Sequence, residues 1–271
     1  MRGTSQQALT DAEDRFEPVL TAAGADAATL GDQLFAVVDL LDGNASLRRA
    51  LTDPGATGEA KARLIGDVLT GRTDGRVVDL VAGMVRARWA GERDLPDALE
   101  LLGTDAVLAA AQADGELERV EDELFRVDRL LAANREVRQA LGDRTADVAR
   151  RTALVRDLLG TKATATTLTL VTRAVAAPRG RSLTAAVLDL GRVAAARRRR
   201  LVAQVTAAVA LTQAQRDRVA QLLERRYGRP VQLNVFVDPT TLGGLRIQVD
   251  ADVIDATVRA RLDDARRRLA G

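Results

Sequence analysis

Two stretches of this chain, ninety residues apart, are near copies of one another. LFAVVDLLDGNASLRRALTD begins at Leu34 and LFRVDRLLAANREVRQALGD begins at Leu124, and ten of the twenty positions are identical without a gap. The same offset later pairs other apolar positions, such as Leu64 with Leu154. A register held over this length predicts an internal duplication rather than chance similarity between helices rich in alanine and leucine.

Each copy has the apolar spacing of helices. Short polar breaks, DPGATGE, TGRTDGR and AAPRGRS, separate the periodic segments. Only six of the 271 residues are aromatic, so alanine, leucine and valine must fill the interior, which favours closely packed helices. Each copy is therefore predicted to be a compact bundle of about five or six short helices, the first over residues 1–103 and the second over residues 104–203.

Missing residue types exclude several kinds of active site. The sequence contains no cysteine and no histidine, which rules out disulfides, zinc fingers, a Ser-His-Asp triad and acid-base catalysis by imidazole. The longest uncharged segment, Leu201 to Gln215, is too short and too polar for a membrane span. The N-terminal stretch lacks the apolar core of a signal peptide, so neither feature is expected.

From Leu201 onward the pattern changes to that of a small α/β domain. LVAQVTAAVAL predicts a strand, and Thr212 begins a TQAQ capping box for a helix that ends at Gly228. VQLNVFV and LRIQV predict two further strands, and TVRARLDDARRRL predicts a closing helix. The predicted order is β-α-β-β-α over residues 204–271. The fold class is therefore mostly α: two tandem homologous helical bundles followed by a small α/β domain.

Four aspartates fall in the segment VDPTTLGGLRIQVDADVIDAT, and two interpretations compete. Asp238, Asp250, Asp252 and Asp255 can supply carboxylate ligands to a metal, but a calcium loop starting at Asp250 would need an acidic residue where Arg261 stands. Aspartate also forms turns and caps helices. The spacing favours Asp250 and Asp252 in a turn and Asp255 as the N-cap of the last helix, so no metal or cofactor is predicted.

The same segment resembles the signature of the ATP synthase δ subunit family, called the oligomycin-sensitivity-conferring protein in mitochondria. In that family a strand ends in an Asp-Pro turn, a Gly-Gly step leads to the next strand, and V-I-D-G-S precedes the last helix. The resemblance covers Leu201 to the end well and the second helical copy more loosely. Ala256 and Thr257 replace Gly-Ser, and the extra helical copy is typical of a long bacterial form. The matching structural residues are Asp238, Pro239, Gly243, Gly244 and Asp255.

The resemblance implies a stator protein without catalytic activity. In the family, the helical domain sits on the catalytic head and holds the N-terminal helices of the α subunits, while the C-terminal domain holds the end of a b-type peripheral stalk. Such a protein resists the torque of the rotor, so that proton flow drives ATP synthesis. The implied location is the cytoplasmic face of the cell membrane, with membrane association only through the complex and with no cofactor and no nucleic-acid partner.

A nucleotide-binding loop is one alternative. The segment GDVLTGRT, from Gly66 to Thr73, nearly matches the phosphate-loop pattern, but Arg72 replaces the lysine. Such a loop must follow a strand, whereas the preceding EAKARLI predicts a helix.

Nucleic-acid binding by the basic C-terminal half is the second alternative. Residues 121–271 carry a net charge of +11 and residues 1–120 carry −9, and Arg197 begins a run of four arginines. Few aromatic residues are present to stack bases, which favours a solvated helix end stabilised by the macrodipole. The pairs Glu116/Glu118 and Glu121/Glu123 are likewise predicted to be solvated charges on helix surfaces rather than an acid/base pair.

The two helical copies differ in charge. Residues 1–120 carry −9, whereas residues 121–205 carry 17 basic and 9 acidic residues, net +8. One interpretation is a division of labour, in which the second copy holds the α-subunit helices and the first braces the stalk or another part of the head. The other interpretation is that the two copies pack on each other through their opposite charges.

Overall fold

The chain divides into two compact units in a computed structural model that describes residues 3–199, 201–228, 231–241, 243–249 and 252–255. The units are Met1–Arg198 and Arg199–Gly271. The described part of the first unit is helical, and that of the second combines one helix with a sheet. None of the helices in these described ranges is long and apolar enough to cross a membrane.

Eleven α-helices and one short 3-10 helix are described in the helical unit. In chain order they are α1 (Gly3–Ala23), the 3-10 helix (Gly24–Asp26), α2 (Ala27–Gly43), α3 (Ala45–Thr52), α4 (Gly58–Leu69), α5 (Gly75–Arg86), α6 (Asp94–Ala113), α7 (Leu117–Ala133), α8 (Arg135–Gly142), α9 (Val148–Leu159), α10 (Ala165–Ala176) and α11 (Leu183–Arg199).

The ninety-residue repeat of the sequence is also a repeat of structure. Helices α2 to α5 and helices α7 to α10 begin and end at positions that differ by ninety residues in every case. Local contacts repeat as well: Arg48 Nη1 donates to the carbonyl of Leu41 at 2.9 Å, and Arg138 Nη1 donates to that of Leu131 at 2.6 Å. The predicted duplication is therefore confirmed in the fold.

Side-chain caps at equivalent positions start the helices in both copies. Thr57 accepts from the backbone N–H of Ala60 before α4, and Asp147 accepts from Ala149 before α9. Asp74 and Thr164 do the same before α5 and α10. Because the first N–H groups of a helix have no partner within the helix, these caps fix where each helix begins.

Helix α6 contributes to both hydrophobic cores of the unit. Leu95, Leu99 and Leu102 belong to the core of the first copy, whereas Val107 and Leu108 belong to that of the second. Helices α1 and α6 end ninety residues apart, so α6 occupies the last place of the first copy and the first place of the second. The position between residues 103 and 104 lies inside this shared helix.

Two glycines let α2 and α6 approach closely. A Cβ atom on Gly31 would lie 2.8 Å from the carbonyl oxygen of Gly103 and 2.6 Å from Cγ2 of Val107. A Cβ atom on Gly103 would lie 2.7 Å from the ring of Phe35. Close backbone approach of this kind needs glycine, and it places the ring of Phe35, a member of the second core, beside α6.

The α/β unit is a four-stranded sheet with a helix packed against it. Its elements are β1 (Leu201–Ala207), α12 (Gln213–Tyr227), β2 (Val231–Val237), β3 (Leu245–Val249) and β4 (Asp252–Asp255). The strand order is β2-β1-β3-β4, with β1 parallel to β2 and the other two pairs antiparallel. The capping box predicted at Thr212 is formed with Gln215, and Leu223 of α12 packs on Val205 and Ile247 in the core.

Strand β4 differs from the expected turn and helix cap. Asp252 and Asp255 are its first and last residues, and it pairs with β3 through Val249↔Asp252 and Arg246↔Asp255. Its two central residues are β-branched, and Ile254 packs against the core of the unit, which favours a strand over a turn. The closing helix predicted after Asp255 lies outside the described residues.

Candidate functional site

The Asp-Pro step of the family signature forms a hydrogen-bonded turn after β2. Asp238 Oδ1 accepts from the backbone N–H of Thr240 at 2.9 Å and from its hydroxyl at 2.7 Å. These bonds hold the pKa of the Asp238 carboxyl below its usual value. The backbone N–H of Asp238 donates to the carbonyl of Ala207, which ties the turn to β1. Asp238 and Pro239 therefore end β2 in the way that turn chemistry predicts.

The Gly-Gly step holds left-handed backbone immediately before β3. Gly243 has φ = 65° and Gly244 has φ = 83°, and glycine adopts this conformation without steric cost. Four of the five signature residues thus lie in the connection between β2 and β3: Asp238, Pro239, Gly243 and Gly244. Asp255 lies at the end of β4, and the helix that it was predicted to cap is outside the described ranges.

The described ranges contain no metal-binding cluster. No group of three or more Asp or Glu side chains among them is arranged to hold a metal ion. The Asp238 carboxylate is engaged in its own turn, and Asp250 lies outside the described residues. The near match to a phosphate loop also lacks its structural context, because Gly66 lies inside α4 and is preceded by helix rather than by a strand.

Arg197 is buried, which contradicts the prediction of a solvated arginine run. Its side chain donates to Glu17 at 2.9 and 3.1 Å and to Asp105 at 2.8 Å. Arg198 also pairs, with Glu118 and Glu121 on α7. The macrodipole argument failed because it considered only the helix end, whereas neighbouring helices supply carboxylates. The side chain of Arg199 and all of Arg200 lie outside the described residues.

Glu123 is not a solvated charge either. It is only 4% exposed, and its Oε2 accepts from the backbone N–H of Thr164 at 2.8 Å and from the Thr164 hydroxyl at 2.9 Å. In the first copy Gln33 makes the equivalent bond to the N–H of Asp74 at 2.7 Å. The repeat could have indicated that Glu123 is not a surface charge, because Gln33 and Glu123 occupy the same position in their copies.

Ion pairs join the basic second copy to acidic residues of the first copy and α6. Arg173 on α10 pairs with Asp39 at 2.8 Å and with Glu100 at 2.7 Å. Burial alone would lower the pKa of Arg173, but the carboxylates of Glu100 and Asp39 outweigh it and raise that pKa.

Arg179 makes a second junction between the copies. Its guanidinium pairs with Asp42 on α2 and with Asp97 on α6. The opposite charges of the two copies therefore meet inside this unit, as one of the two interpretations of the sequence predicted. The sequence could not predict which residues form these pairs, because the net charge of a segment does not say where its charges lie in the fold.

Comparison with known proteins places this fold among ATP synthase subunits. The family model for the ATP synthase delta (OSCP) subunit matches residues 104–269. The chain is 55% identical over 271 residues to the ATP synthase subunit delta of Beutenbergia cavernae, with all of both chains covered. It is 49% identical to that of Streptomyces coelicolor, with 100% of this chain and 98% of that protein covered, and 50% identical to that of Streptomyces avermitilis, with 99% and 98% covered.

These relationships decide between the functions that the sequence left open. The three relatives, which match nearly the whole chain, are all named ATP synthase subunit delta. None of them supports nucleic-acid binding by the basic half. The resemblance seen in the sequence signature is confirmed by the family match, which spans the second helical copy and the α/β region. The chain belongs to the ATP synthase delta (OSCP) subunit family, a family of non-catalytic stator subunits.

Proposed function

We propose that this chain links the catalytic head of an F-type ATP synthase to the end of a b-type peripheral stalk. The observation that carries this proposal is the similarity over the full chain length to proteins named ATP synthase subunit delta. In this role the chain performs no chemistry. It is a peripheral component on the cytoplasmic face of the membrane, held there by the complex.

The second helical copy is the proposed partner of the α-subunit N-terminal helices. The family match begins at residue 104 and therefore includes this copy, whereas residues 1–103 precede it. On this basis residues 1–103 are an additional bundle, residues 104–198 form the family's helical domain and residues 199–271, the α/β unit, form the stalk-binding domain. The shared helix α6 gives both copies a common support.

The α/β unit is the proposed partner of the stalk. Of the ten large apolar side chains that are exposed among the described residues, five lie in the larger helical unit and five in this smaller one, so they are denser here. Exposed apolar patches on a protein commonly mark interaction sites, so this distribution supports a protein partner here. The five side chains in this unit are Val209, Leu222, Phe236, Val237 and Val253.

The helical unit has the internal bracing that a torque-bearing part needs. Arg173 joins α10 to both α2 and α6. Arg179, in the segment after α10, joins that segment to the same two helices. Arg197 joins α11 to α1 and α6. Charge pairs made by these largely buried arginines have directional geometry and resist sliding of one helix on another, which supports a mechanical role over a catalytic one.

Peptide titration tests both partner assignments. The full chain should bind a peptide of the α-subunit N-terminus and a peptide of the b-type stalk end. A chain ending after Arg198, which retains the compact helical unit, should keep the first affinity and lose the second. Substitution of Phe236 by serine in the full chain provides a milder variant that should weaken only stalk binding.

Two outcomes would refute the assignments. If the shortened chain binds the stalk peptide as tightly as the full chain, the α/β unit is not the stalk site. If two or more α-subunit peptides bind per chain with equal affinity, the two copies are equivalent and the proposed division of labour is wrong.

A further inference from the structure

A basic pocket lies in the second helical copy, and all of the residues that line it belong to that copy. It has a volume of about 290 Å³ and lies between the end of α8, the start of α9 and the connection from α10 to α11. The hydroxyls of Ser182 and Thr184 also line it. Four arginines line the same pocket: Arg138, Arg144, Arg151 and Arg181.

Neutral carbonyl groups satisfy much of the hydrogen bonding of these arginines. Arg151 is only 5% exposed, and its guanidinium donates to the carbonyl of Val175 at 2.7 Å and to that of Ala146 at 3.3 Å. Arg144 donates to the carbonyl of Arg181 at 3.0 Å. Carbonyl oxygens orient a guanidinium group, but they do not neutralise its charge.

Two carboxylates interact with this cluster, which leaves an excess of positive charge. Asp189 lies 3.3 Å from Arg181. Asp143 interacts electrostatically with Arg151, although its Oδ1 already accepts from the backbone N–H and the hydroxyl of Thr145. Four guanidinium groups therefore share two carboxylates among the described residues.

The first copy shows how the equivalent place is completed internally. Arg48 and Lys61 are the counterparts of Arg138 and Arg151 at the ninety-residue offset. Glu92 places a carboxylate 3.8 Å from Nε of Arg48. Trp89, three residues earlier in the same segment, is buried and donates its ring N–H to the carbonyl of Met84 at 2.9 Å, so this segment supplies both an aromatic ring and a carboxylate.

The second copy lacks both of these groups. The segment ARWAGERD after α5 corresponds to the shorter APRGRS after α10, which contains neither an aromatic nor an acidic residue. Ala174, which lines the pocket, stands at the position of Met84. The cations at positions 138 and 151 are thus retained and Arg144 is added where the first copy has Pro54, while the carboxylate of Glu92 and the aromatic side chain have no counterpart.

We propose that this pocket binds carboxylate side chains from an acidic segment of a partner polypeptide. The planar guanidinium fork matches a carboxylate with two parallel hydrogen bonds, and in the first copy Glu92 places a half-exposed carboxylate within ion-pair distance of Arg48. A pocket of this size takes a side chain rather than a whole domain. That the ligand comes from a protein rests on the proposed role in assembly.

Calorimetric titration of the full chain tests the proposal with a defined probe. The probe is an acetylated, amidated tetraglutamate peptide at fixed ionic strength, because salt screens exposed charges, and tetraglutamine is its neutral counterpart. Tetraglutamate should bind and tetraglutamine should not. Replacing Arg144 with glutamine should weaken binding about tenfold, as expected for the loss of one hydrogen-bonded charge contact.

Two further variants separate this pocket from general surface attraction. Ser182→Asp keeps an acceptor at the start of α11, where the Ser182 hydroxyl now accepts from the N–H of Ala185 at 3.2 Å, and adds the missing internal carboxylate. It should weaken tetraglutamate binding about tenfold and raise Tm in the absence of peptide. Arg126→Gln removes an exposed arginine of α7 that does not line the pocket and should leave affinity unchanged.

Contrary results would overturn the proposal in distinct ways. Absent binding, or equal weakening by Arg144→Gln and Arg126→Gln, would show that the pocket is not a carboxylate site. Tighter binding of inorganic phosphate than of tetraglutamate at the same ionic strength would assign a different ligand class. Because these titrations use the isolated chain, their failure leaves the stator proposal, which is tested by partner peptides and by coupling, unaffected.

Discussion

Single side chains of this protein hold helices that are far apart in sequence. Arg197, Glu17 and Asp105 are all buried, and they join α11, α1 and α6. Burial alone would lower the pKa of Arg197, but the charges of Asp105 and Glu17 outweigh it and raise that pKa. The arginine therefore stays charged throughout the usual pH range.

Replacement of Arg197 by methionine should destabilise the chain strongly. It removes the arginine that pairs with two buried carboxylates, and breaking a buried pair in this way costs about 3–5 kcal/mol. Arg198→Met is the matched control, since its partly exposed pairs are worth about 0–1 kcal/mol. Urea unfolding of both variants measures the difference, and equal losses would contradict the buried network.

Glu123→Gln should change how stability depends on pH. Burial opposes the charged form of Glu123, but hydrogen bonds from Thr164, Thr167 and Arg119 outweigh it and lower the pKa of Glu123 below its ordinary value of 4.5. A lowered folded pKa contributes stability above the unfolded pKa, and this contribution is lost as pH falls through the folded pKa. The wild type should therefore lose its advantage over the variant as pH falls from above 4.5 through the lowered pKa of Glu123.

The first copy supplies the natural precedent for this variant. Gln33 makes the equivalent bond to Asp74 with a neutral side chain, so Glu123→Gln should still fold at neutral pH. Free energies of unfolding measured at several pH values check the prediction. A constant difference between wild type and variant across this range would show that Glu123 carries no such dependence.

At the scale of elements, the repeat in the sequence predicted most of the fold. The matched positions around Leu34 and Leu124 predicted helices at the same offset, and both copies have them. The repeat did not predict that the two copies share α6. The apolar residues of this helix show that it is buried, but they do not show which of them belong to which core. β4 was missed because its four residues contain two aspartates, which by local rules indicate a turn and a cap.

The signature residues were predictable in part. Asp238 and Gly243 could be assigned to a turn because their local chemistry requires little from distant residues. Glu123 and Arg197 could not be assigned, since their burial depends on which helices meet. Local rules therefore recovered turns and caps, and failed for charges whose partners lie up to 180 residues away.

Gly31→Ala tests the close contact between α2 and α6. The new methyl group would lie 2.8 Å from a backbone oxygen, and overpacking of this kind costs about 1–3 kcal/mol. Gly66→Ala is the control, because Gly66 lies within α4 with no atom within 4 Å of an added Cβ. It should stabilise the chain by up to about 1 kcal/mol. Thermal unfolding of both proteins checks the opposite signs, and a shared sign would contradict the packing described.

At the scale of the whole molecule, part of the unequal charge of the two halves forms ion pairs within the protein. Asp39, Asp42 and Glu100 meet arginines of the second copy directly, so a large basic excess need not indicate nucleic acid. Four further arginines, including Arg151, line the pocket described above. Duplication thus produced one braced unit, and the pocket that we propose as a carboxylate site lies in its second copy.

Coupling of proton flow to ATP synthesis tests the stator role most directly. The complex is assembled in vesicles with either the full chain or a chain ending after Arg198, at the boundary between the compact units. A cut after residue 203 would divide β1 and is avoided. With the shortened chain, ATP hydrolysis by the catalytic head should continue while proton-driven synthesis is lost, because the head has lost its anchor to the stalk. Synthesis at the normal rate with the shortened chain would contradict the account.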